Sequence, residues 1–391
     1  MTEIYGITVI PENETVHSLY KSGSTKRILL ISGLLILVAV SAIVALCMGT
    51  VNLTVTDSLL AVGHSSAVSI QGFLHNYLPP IASIYDSIPI TIPQPENSQA
   101  ELIIVGFRLP RILLAIVTGV CLAIAGAVMQ GLLRNPLVSP FTLGMSSAAS
   151  FGAAMAIVLN LGAFMSAYLF IASDLAIVIM AFLFGWASMF LVYYFGKSAI
   201  SSQATLILAG VVIGYLFSAA IMFLKYISND EKLREITLWL MGGMWGASWQ
   251  AIIILIPITI VCFIILERMA WDLNTLSAGD EVAKNLGINV EKIRLRGLIV
   301  STFAASSCLA FTGIIGFIGL MGPHICRMII GNDHRYLIPC AALMGAAILL
   351  VSDTVARTIM SPVELPVGII MYVIGGIFFM FLLKALRRGI Y

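Results

Sequence analysis

Long uncharged apolar stretches alternate with short polar segments along the whole chain. Several of these stretches contain about 20 residues, the length that an α-helix needs to cross the hydrocarbon core of a bilayer. Nine of them are evident, at 28–48, 111–133, 142–162, 168–195, 204–227, 250–266, 297–315, 338–356 and 366–386. The pattern therefore predicts an all-α, polytopic integral membrane protein.

The charges that flank the stretches predict its orientation. Arg27 precedes the first stretch and Arg387 follows the last, and cytoplasmic flanks of spans are enriched in Lys and Arg. Both termini are therefore expected in the cytoplasm, which requires an even number of spans. We expect the missing span at 316–331, where Pro323 interrupts a short apolar segment that would be tolerated inside a helix bundle. The prediction is ten transmembrane helices.

The spans divide the chain into regions. Residues 1–27 are predicted to form a cytoplasmic N-terminal extension, and 28–391 a transmembrane domain. Within that domain the polar, proline-rich stretch 50–107 is expected to be a long external loop, and the charged stretch 267–296 a cytoplasmic loop. The polar residues before the first span, with no small-residue cleavage pattern after it, argue against a cleaved signal peptide.

Composition agrees with this class and limits the kinds of partner and site to be expected. Of 391 residues 60% are hydrophobic and 10% charged, which excludes a water-soluble globule, and the net charge of +2 does not indicate a nucleic-acid partner. The cysteines occur singly, without the paired spacing of metal or redox sites, so we predict packing roles and expect no metal or cofactor. They are Cys47, Cys121, Cys262, Cys308, Cys326 and Cys340.

Three missing features restrict the functions that fit. No glycine-rich turn is followed by Gly-Lys-Ser/Thr, so a separate chain must bind ATP if ATP drives this protein. A secondary transporter is disfavoured because few carboxylates lie within the spans. A membrane-embedded enzyme or assembly subunit is disfavoured because no paired His, Asp or Glu ligands lie within a span.

Two polar segments are candidate sites. Arg108 and Arg111 lie at the expected outer mouth, where they could bind lipid phosphates or acidic groups of a partner, and from these residues alone lipid anchoring is favoured. On the cytoplasmic side, the segment 271–288 predicts a short amphipathic helix, capped at its start by Ser277 or Asp280 and stopped by Gly287. Its apolar face has no membrane to cover it, so a protein partner is favoured. That face comprises Leu276, Val282, Ala283, Leu286 and Ile288.

Sequence blocks from Arg108 onward occur in a characteristic order. They include Arg108-Leu-Pro-Arg111, Arg134-Asn-Pro-Leu137, Gly279-Asp-Glu-Val-Ala283 with Leu286-Gly287, Pro323-His324 with Arg327, Asp333-His334-Arg335, and Asp353 with Ala356-Arg357. Together they resemble the FecCD family, permeases of ATP-binding-cassette (ABC) importers for iron–siderophores, haem and cobalamin. The loop 50–107 is longer than the family usually carries, and 1–27 does not align.

The resemblance implies a non-enzymatic permease subunit of ten helices in a prokaryotic plasma membrane. It implies a homodimer around a central path, a dimer of cytoplasmic ATPases, and an extracellular or periplasmic binding protein that delivers a metal chelate or corrinoid. It does not indicate which substrate is carried.

The resemblance also implies three sets of site residues. The ATPase-coupling residues are Ser277, Gly279, Asp280, Glu281, Val282, Ala283, Leu286 and Gly287. The residues that dock the binding protein are Arg108, Arg111 and Arg357, which reverses the preference for lipid anchoring. The inner gate comprises Asn135, Leu137, Ser202 and Gln203.

Overall fold

The computed structural model describes residues 16–49, 51, 53–77, 93–95, 97, 99–169, 172–197 and 203–387. Within these ranges all regular secondary structure is helical. The helices are α1 Val16–Cys47, α2 Val55–Tyr77, α3 Ala100–Leu132, α4 Met145–Val158, α5 Leu161–Leu169, α6 Ser173–Lys197, α7 Gln203–Ile227, α8 Asp230–Met241, α9 Trp249–Arg268, α10 Ala270–Ser277, α11 Asp280–Asn285, α12 Val290–Thr312, α13 Ile318–Ile330, α14 His334–Thr358 and α15 Val367–Arg387.

The long apolar helices confirm the predicted class. In the described part of the chain, 8 helices are long and apolar enough to cross a membrane, namely α1, α3, α6, α7, α9, α12, α14 and α15. Helices α4 and α5 meet at an angle of 69° and would add a ninth span if they cross together. Each apolar stretch predicted from sequence overlaps one of these helices or this pair. The total of ten spans stays a prediction.

Helix α13 occupies the segment where the hidden span was expected. It has 13 residues and contains Pro323, so it is shorter than a full crossing. Phe317 precedes it in the left-handed conformation, and Gly331 ends it with a φ of 80°. The side-chain amide of Gln130 in α3 donates to the carbonyl oxygen of Gly319, 3.1 Å away. Packing inside the bundle thus satisfies a backbone group in this short helix.

Helix α3 is the central element of the bundle. Of its most apolar stretch 83% is buried within the chain, against 17% for α1. Glycines allow this burial, because a Cβ on Gly126 would overlap the carbonyl oxygen of Gly319 and one on Gly119 would overlap that of Gly345. Small residues let helices approach closely where lipid offers no hydrophobic driving force. The backbones of α13 and α14 are therefore in direct contact with α3.

The region predicted as the loop 50–107 is partly helical, which corrects one boundary. Helix α2 lies within it, and α3 begins at Ala100 rather than at 111, continuing through one π-helical turn at Ile104–Arg108. The sequence prediction began this span at 111 because the charge of Arg108 interrupts the apolar stretch before it. In the fold that charge is satisfied by α1, so the helix continues.

The loop predicted to be cytoplasmic contains α10 and α11, and it corrects the predicted cap. The N-cap of α11 is Gly279, with a φ of 119° and no side-chain cap. The Ser277 hydroxyl instead donates to the carbonyl of Leu273, 2.9 Å away, inside α10. The chain therefore turns between two helices where a single helix was expected. The predicted stop is confirmed, since Gly287 follows α11 with a φ of 83° and its N–H bonds to Lys284.

Candidate functional site

Helix α11 presents a small apolar surface on one side and packs on the other. Ala283 is fully buried and Leu276 nearly so, whereas Leu286 is 69% and Val282 44% exposed. Ile288 is half-buried, and Glu281 is exposed. The predicted apolar face is therefore divided, with Val282 and Leu286 left for a partner.

Asp280, the first residue of α11, is bound by two arginines. Arg294 of α12 approaches its Oδ2 to 3.1 Å, and Arg134, which follows α3, approaches its Oδ1 to 3.3 Å. Arg294 is 5% exposed, and its Nε also donates to the carbonyl of Leu132 at 3.4 Å. These contacts attach the start of α11 to the C-terminal end of α3.

Arg134 has an unusual backbone and a second partner. Its φ is 44°, a left-handed conformation that costs a non-glycine residue about 1–2 kcal/mol. The Gln203 amide is assigned with its oxygen toward Arg134, because the opposite orientation would set its NH2 group against the guanidinium donors and its oxygen against the carbonyl of Leu133. In that orientation its oxygen lies 2.9 Å from both Nε and Nη2 of Arg134, and its nitrogen donates to the carbonyl of Leu133 at 3.1 Å. Arg134 therefore joins α11 to the first residue of α7.

Three of the four predicted gate residues lie beside this junction. The Asn135 side chain accepts a hydrogen bond from the Leu137 N–H at 2.9 Å, which fixes the turn after α3. Leu137 is exposed, and Gln203 reaches the same turn through Arg134. Ser202 lies outside the described residues. Sequence reasoning missed Arg134 as a site residue, although it stands first in the Arg134-Asn-Pro-Leu137 block.

A second polar network fixes α10 on the start of α14. Asp333 accepts from Arg335 at 2.6 Å, from Asn274 at 2.8 Å and from Arg27 at 3.1 Å. The bond from Arg335, with that from Asn274, lowers the pKa of Asp333 to about 2. The Arg335 guanidinium also stacks over the Trp271 ring at 4.2 Å. Between this network and Arg134 lies a cavity of about 270 Å³ that Ser277 and Asn135 help to line.

At the other end of α3, Asp353 is the centre of a buried ion-pair cluster. Its carboxylate is 0% exposed and lies 3.0 Å from Arg111 Nη2 and 3.2 Å from Arg357 Nε. Arg111 also pairs with Glu364 at 2.5 Å, and the Glu364 side chain is 36% exposed. Asp353 and Arg357 form an i, i+4 pair within α14, and the cluster extends to α3 through Arg111.

The remaining donors of the cluster bind the end of α1. Arg108 donates to the carbonyl oxygens of Leu46, at 2.5 Å, of Cys47, at 3.1 Å, and of Val51. Arg357 donates to that of Ala45 at 3.4 Å. The last carbonyls of a helix lack partners within it, so the two arginines stabilise this end of α1.

The three arginines predicted to dock a binding protein line a common cavity among the described residues. It has a volume of about 430 Å³ and is lined by Arg108, Arg111, Arg357 and Glu364, with Phe107 and Trp245 among its other walls. Arg108 is 5% and Arg357 4% exposed. The positive charge therefore lies inside a cavity, and Glu364 is the exposed carboxylate beside it.

Comparisons with known proteins were made for the whole chain. Residues 34–385 match the model of the FecCD transport family. The chain is 39% identical over 373 residues to a protein of Methanocaldococcus jannaschii named as an ABC transporter permease, covering 95% of this chain and 98% of that protein. It is 40% identical over 283 residues to the hemin transport system permease HmuU of Yersinia pestis, covering 72% of this chain and 83% of HmuU.

A solved structure agrees over most of the length. It is an inward-facing conformation of a metal-chelate type ABC transporter, with a TM-score of 0.73 and 31% sequence identity. The match covers 90% of this chain and 98% of the other.

Proposed function

The chain belongs to the FecCD transport family, and on that premise we propose which substrate class it carries and how its two polar sites serve import. It is a multi-pass permease subunit of an ABC importer in a prokaryotic plasma membrane. It is a non-catalytic transport subunit, and a separate ATPase hydrolyses ATP. The secondary-transporter and enzyme alternatives are not favoured.

The proposed substrate is a metal chelate of the iron–siderophore, haem or cobalamin type. The names of three relatives support this class: hemin for HmuU, Fe(3+) dicitrate for FecD of Escherichia coli, and cobalamin for BtuC of Halobacterium salinarum. The metal-chelate type of the similar solved transporter adds support. We further propose that two copies of the chain enclose the path, with Asn135, Leu137, Ser202 and Gln203 at its inner gate.

The cytoplasmic partner is a dimeric ATPase that binds α11. The single observation that carries this assignment is the geometry of α11. Val282 and Leu286 are exposed beside Glu281, while Asp280 is held at the end of α3. An exposed apolar pair on a short, anchored helix fits a complementary groove on a partner. Both chain termini and this loop then lie in the cytoplasm.

The outer partner is a substrate-binding protein. We propose that its acidic side chains enter the cavity lined by Arg108, Arg111 and Arg357. Glu364 is partly exposed, so an incoming carboxylate can replace it beside Arg111 without opening the buried pair with Asp353. Such an exchange of carboxylates favours recognition and association rate more than raw affinity.

Reconstitution tests the function. The purified chain, its ATPase and its binding protein are placed in vesicles, and uptake of haem and of a ferric siderophore is followed with ATP or with an ion gradient alone. We expect uptake with ATP only. Leu286→Asp should abolish uptake and release the ATPase, because a charge replaces an apolar contact, whereas the control Asn285→Asp should not. Uptake driven by a gradient without ATPase would establish a secondary transporter.

A further inference from the structure

Arg134 joins the ATPase-facing helix to the inner gate, although no coupling, docking or gate set includes it. We propose that Arg134 is the positioning residue that transmits displacement of α11 to the gate residues Asn135, Leu137 and Gln203. The inference rests on the proposed function, since it requires an ATPase on α11 and a gate at the end of α3. It assigns a role to one side chain that bridges the two.

The contacts of Arg134 form an unbroken chain across the junction. One end is Asp280, 3.3 Å from Arg134 Nη2, in the first turn of α11. The other is the side-chain oxygen of Gln203, 2.9 Å from both Nε and Nη2, at the first residue of α7. The next residue along the chain is Asn135, whose side chain fixes the Leu137 N–H. Displacement of Asp280 therefore acts on both gate segments through one guanidinium.

The backbone of Arg134 supports a role for its side chain. A φ of 44° places it in the region that glycine occupies without penalty and arginine with difficulty. Residues held in such conformations concentrate at functional sites. A glycine would satisfy the turn without strain, so the cost of arginine here is offset by what its guanidinium binds.

The two arginines on Asp280 differ in a way that assigns the moving role. Arg294 has a side chain only 6% exposed, and it also bonds to Leu132, so it belongs to the packed bundle. The Arg134 side chain is 39% exposed, and its guanidinium binds side chains of α11 and α7 rather than groups of the core. A partly solvated ion pair can break and re-form at small cost, whereas a buried one cannot. Arg294 therefore anchors Asp280 to the packed bundle, and Arg134 is the link that connects Asp280 to the gate residues.

Two substitutions separate transmission from mere stability. Arg134→Gly removes the link but relieves the left-handed backbone, so the thermal midpoint of the complete importer should be unchanged or higher. Arg134→Lys keeps the charge but offers one ammonium in place of a planar fork, which cannot hold Asp280 and Gln203 together as the guanidinium does. Gln203→Ala removes only the contact of Arg134 with α7. Arg268→Ala, an exposed arginine at the end of α9, is the matched control.

The experiment uses the reconstituted importer with a Leu137→Cys probe in a background without the native cysteines. Uptake per ATP hydrolysed is measured, together with thiol labelling of the probe in nucleotide-free and nucleotide-trapped states. For Arg134→Gly and Gln203→Ala we expect uptake per ATP to fall about fivefold or more, with labelling that no longer depends on nucleotide. Arg134→Lys should be intermediate, and Arg268→Ala should match the parent.

Each outcome is decisive. If Arg134→Gly transports and labels like the parent, the link is refuted. It is also refuted if Arg134→Gly and Gln203→Ala lose uptake only in proportion to a lower thermal midpoint, because a structural role then suffices. If the parent importer itself shows no ATP-dependent uptake, the proposed function fails, and that result is distinct from failure of the link.

Discussion

The two ends of α3 carry charged clusters that differ in burial. Named after the proposed topology, the outer cluster consists of Arg108, Arg111, Asp353, Arg357 and Glu364, and its central carboxylate is 0% exposed. The inner cluster consists of Arg134, Gln203, Asp280 and Arg294, and its Arg134–Asp280 pair is 39% and 27% exposed. Opening a buried pair leaves charges out of water, whereas opening a partly solvated pair costs little. We infer that the outer cluster holds the bundle together and that the inner cluster can rearrange.

The helix between them explains why motion at one end need not reach the other. Gly119 and Gly126 place the backbone of α3 directly against α14 and α13, with no intervening side chain that could move aside. Close-packed interiors respond to displacement as units. Rearrangement at the inner end is therefore expected in the turn after α3 and in α11, not in α3 itself.

The largest expected effect comes from breaking the outer cluster. Asp353→Asn removes the carboxylate shared by Arg111 and Arg357, and leaving buried charges unpaired costs about 3–5 kcal/mol of unfolding free energy. The thermal midpoint of the purified chain in detergent measures this loss. The matched control is Glu364→Gln, which removes a partly exposed carboxylate and should cost far less. Equal midpoints for Asp353→Asn and the parent would show that the outer cluster does not hold the bundle.

A smaller effect is expected from forcing apart α3, which connects the clusters, and α13, which packs against it. Gly126→Ala introduces a Cβ where the carbonyl oxygen of Gly319 lies, and overpacking of this kind costs about 1–3 kcal/mol. Gly33→Ala in α1 is the control, because nothing lies within 4 Å of the added Cβ. Thermal unfolding should show a lower midpoint for Gly126→Ala alone. A midpoint unchanged by Gly126→Ala would mean that α3 is not clamped.

The smallest of these effects concerns Asp333, whose pairs are partly exposed like those of the inner cluster. Its folded pKa of about 2 lies below the unfolded value of about 3.9, so its stabilising contribution is present above about pH 4. That contribution is lost as pH falls toward 2. Asp333→Asn should remove about 1 kcal/mol at neutral pH and flatten the decline between pH 4 and 2. Urea unfolding across that range measures both, with exposed Glu291→Gln as control, and an equally steep decline in Asp333→Asn would contradict the assignment.

The sequence predicted the membrane class and the position of each apolar helix, because those depend on local hydrophobicity. It also indicated α13, where Pro323 and Gly331 mark a short helix. It placed the start of α3 too late, since the charge of Arg108 is satisfied only by carbonyls from the distant end of α1. That contact is tertiary, so no local sequence pattern predicts it.

The same limit applies to the sites. Ordered motifs located Asp280, Asn135 and Arg357, but they did not indicate that Arg108 and Arg357 are buried in a cavity. They also did not single out Arg134, because its left-handed backbone and its two partners exist only when α3, α7 and α11 meet. The cap of α11 was mispredicted for a related reason. Ser277 is drawn into α10 by the carbonyl of Leu273, which leaves Gly279 at the turn.

The contrast between the clusters is tested most directly by hydrogen exchange of the reconstituted importer, with and without trapped nucleotide, read by mass spectrometry. We expect nucleotide to change exchange in 130–137 and 279–290, while 104–112 and 350–357 exchange at the same rate in both states. Nucleotide-dependent exchange at the outer segments, with none at the inner ones, would contradict it.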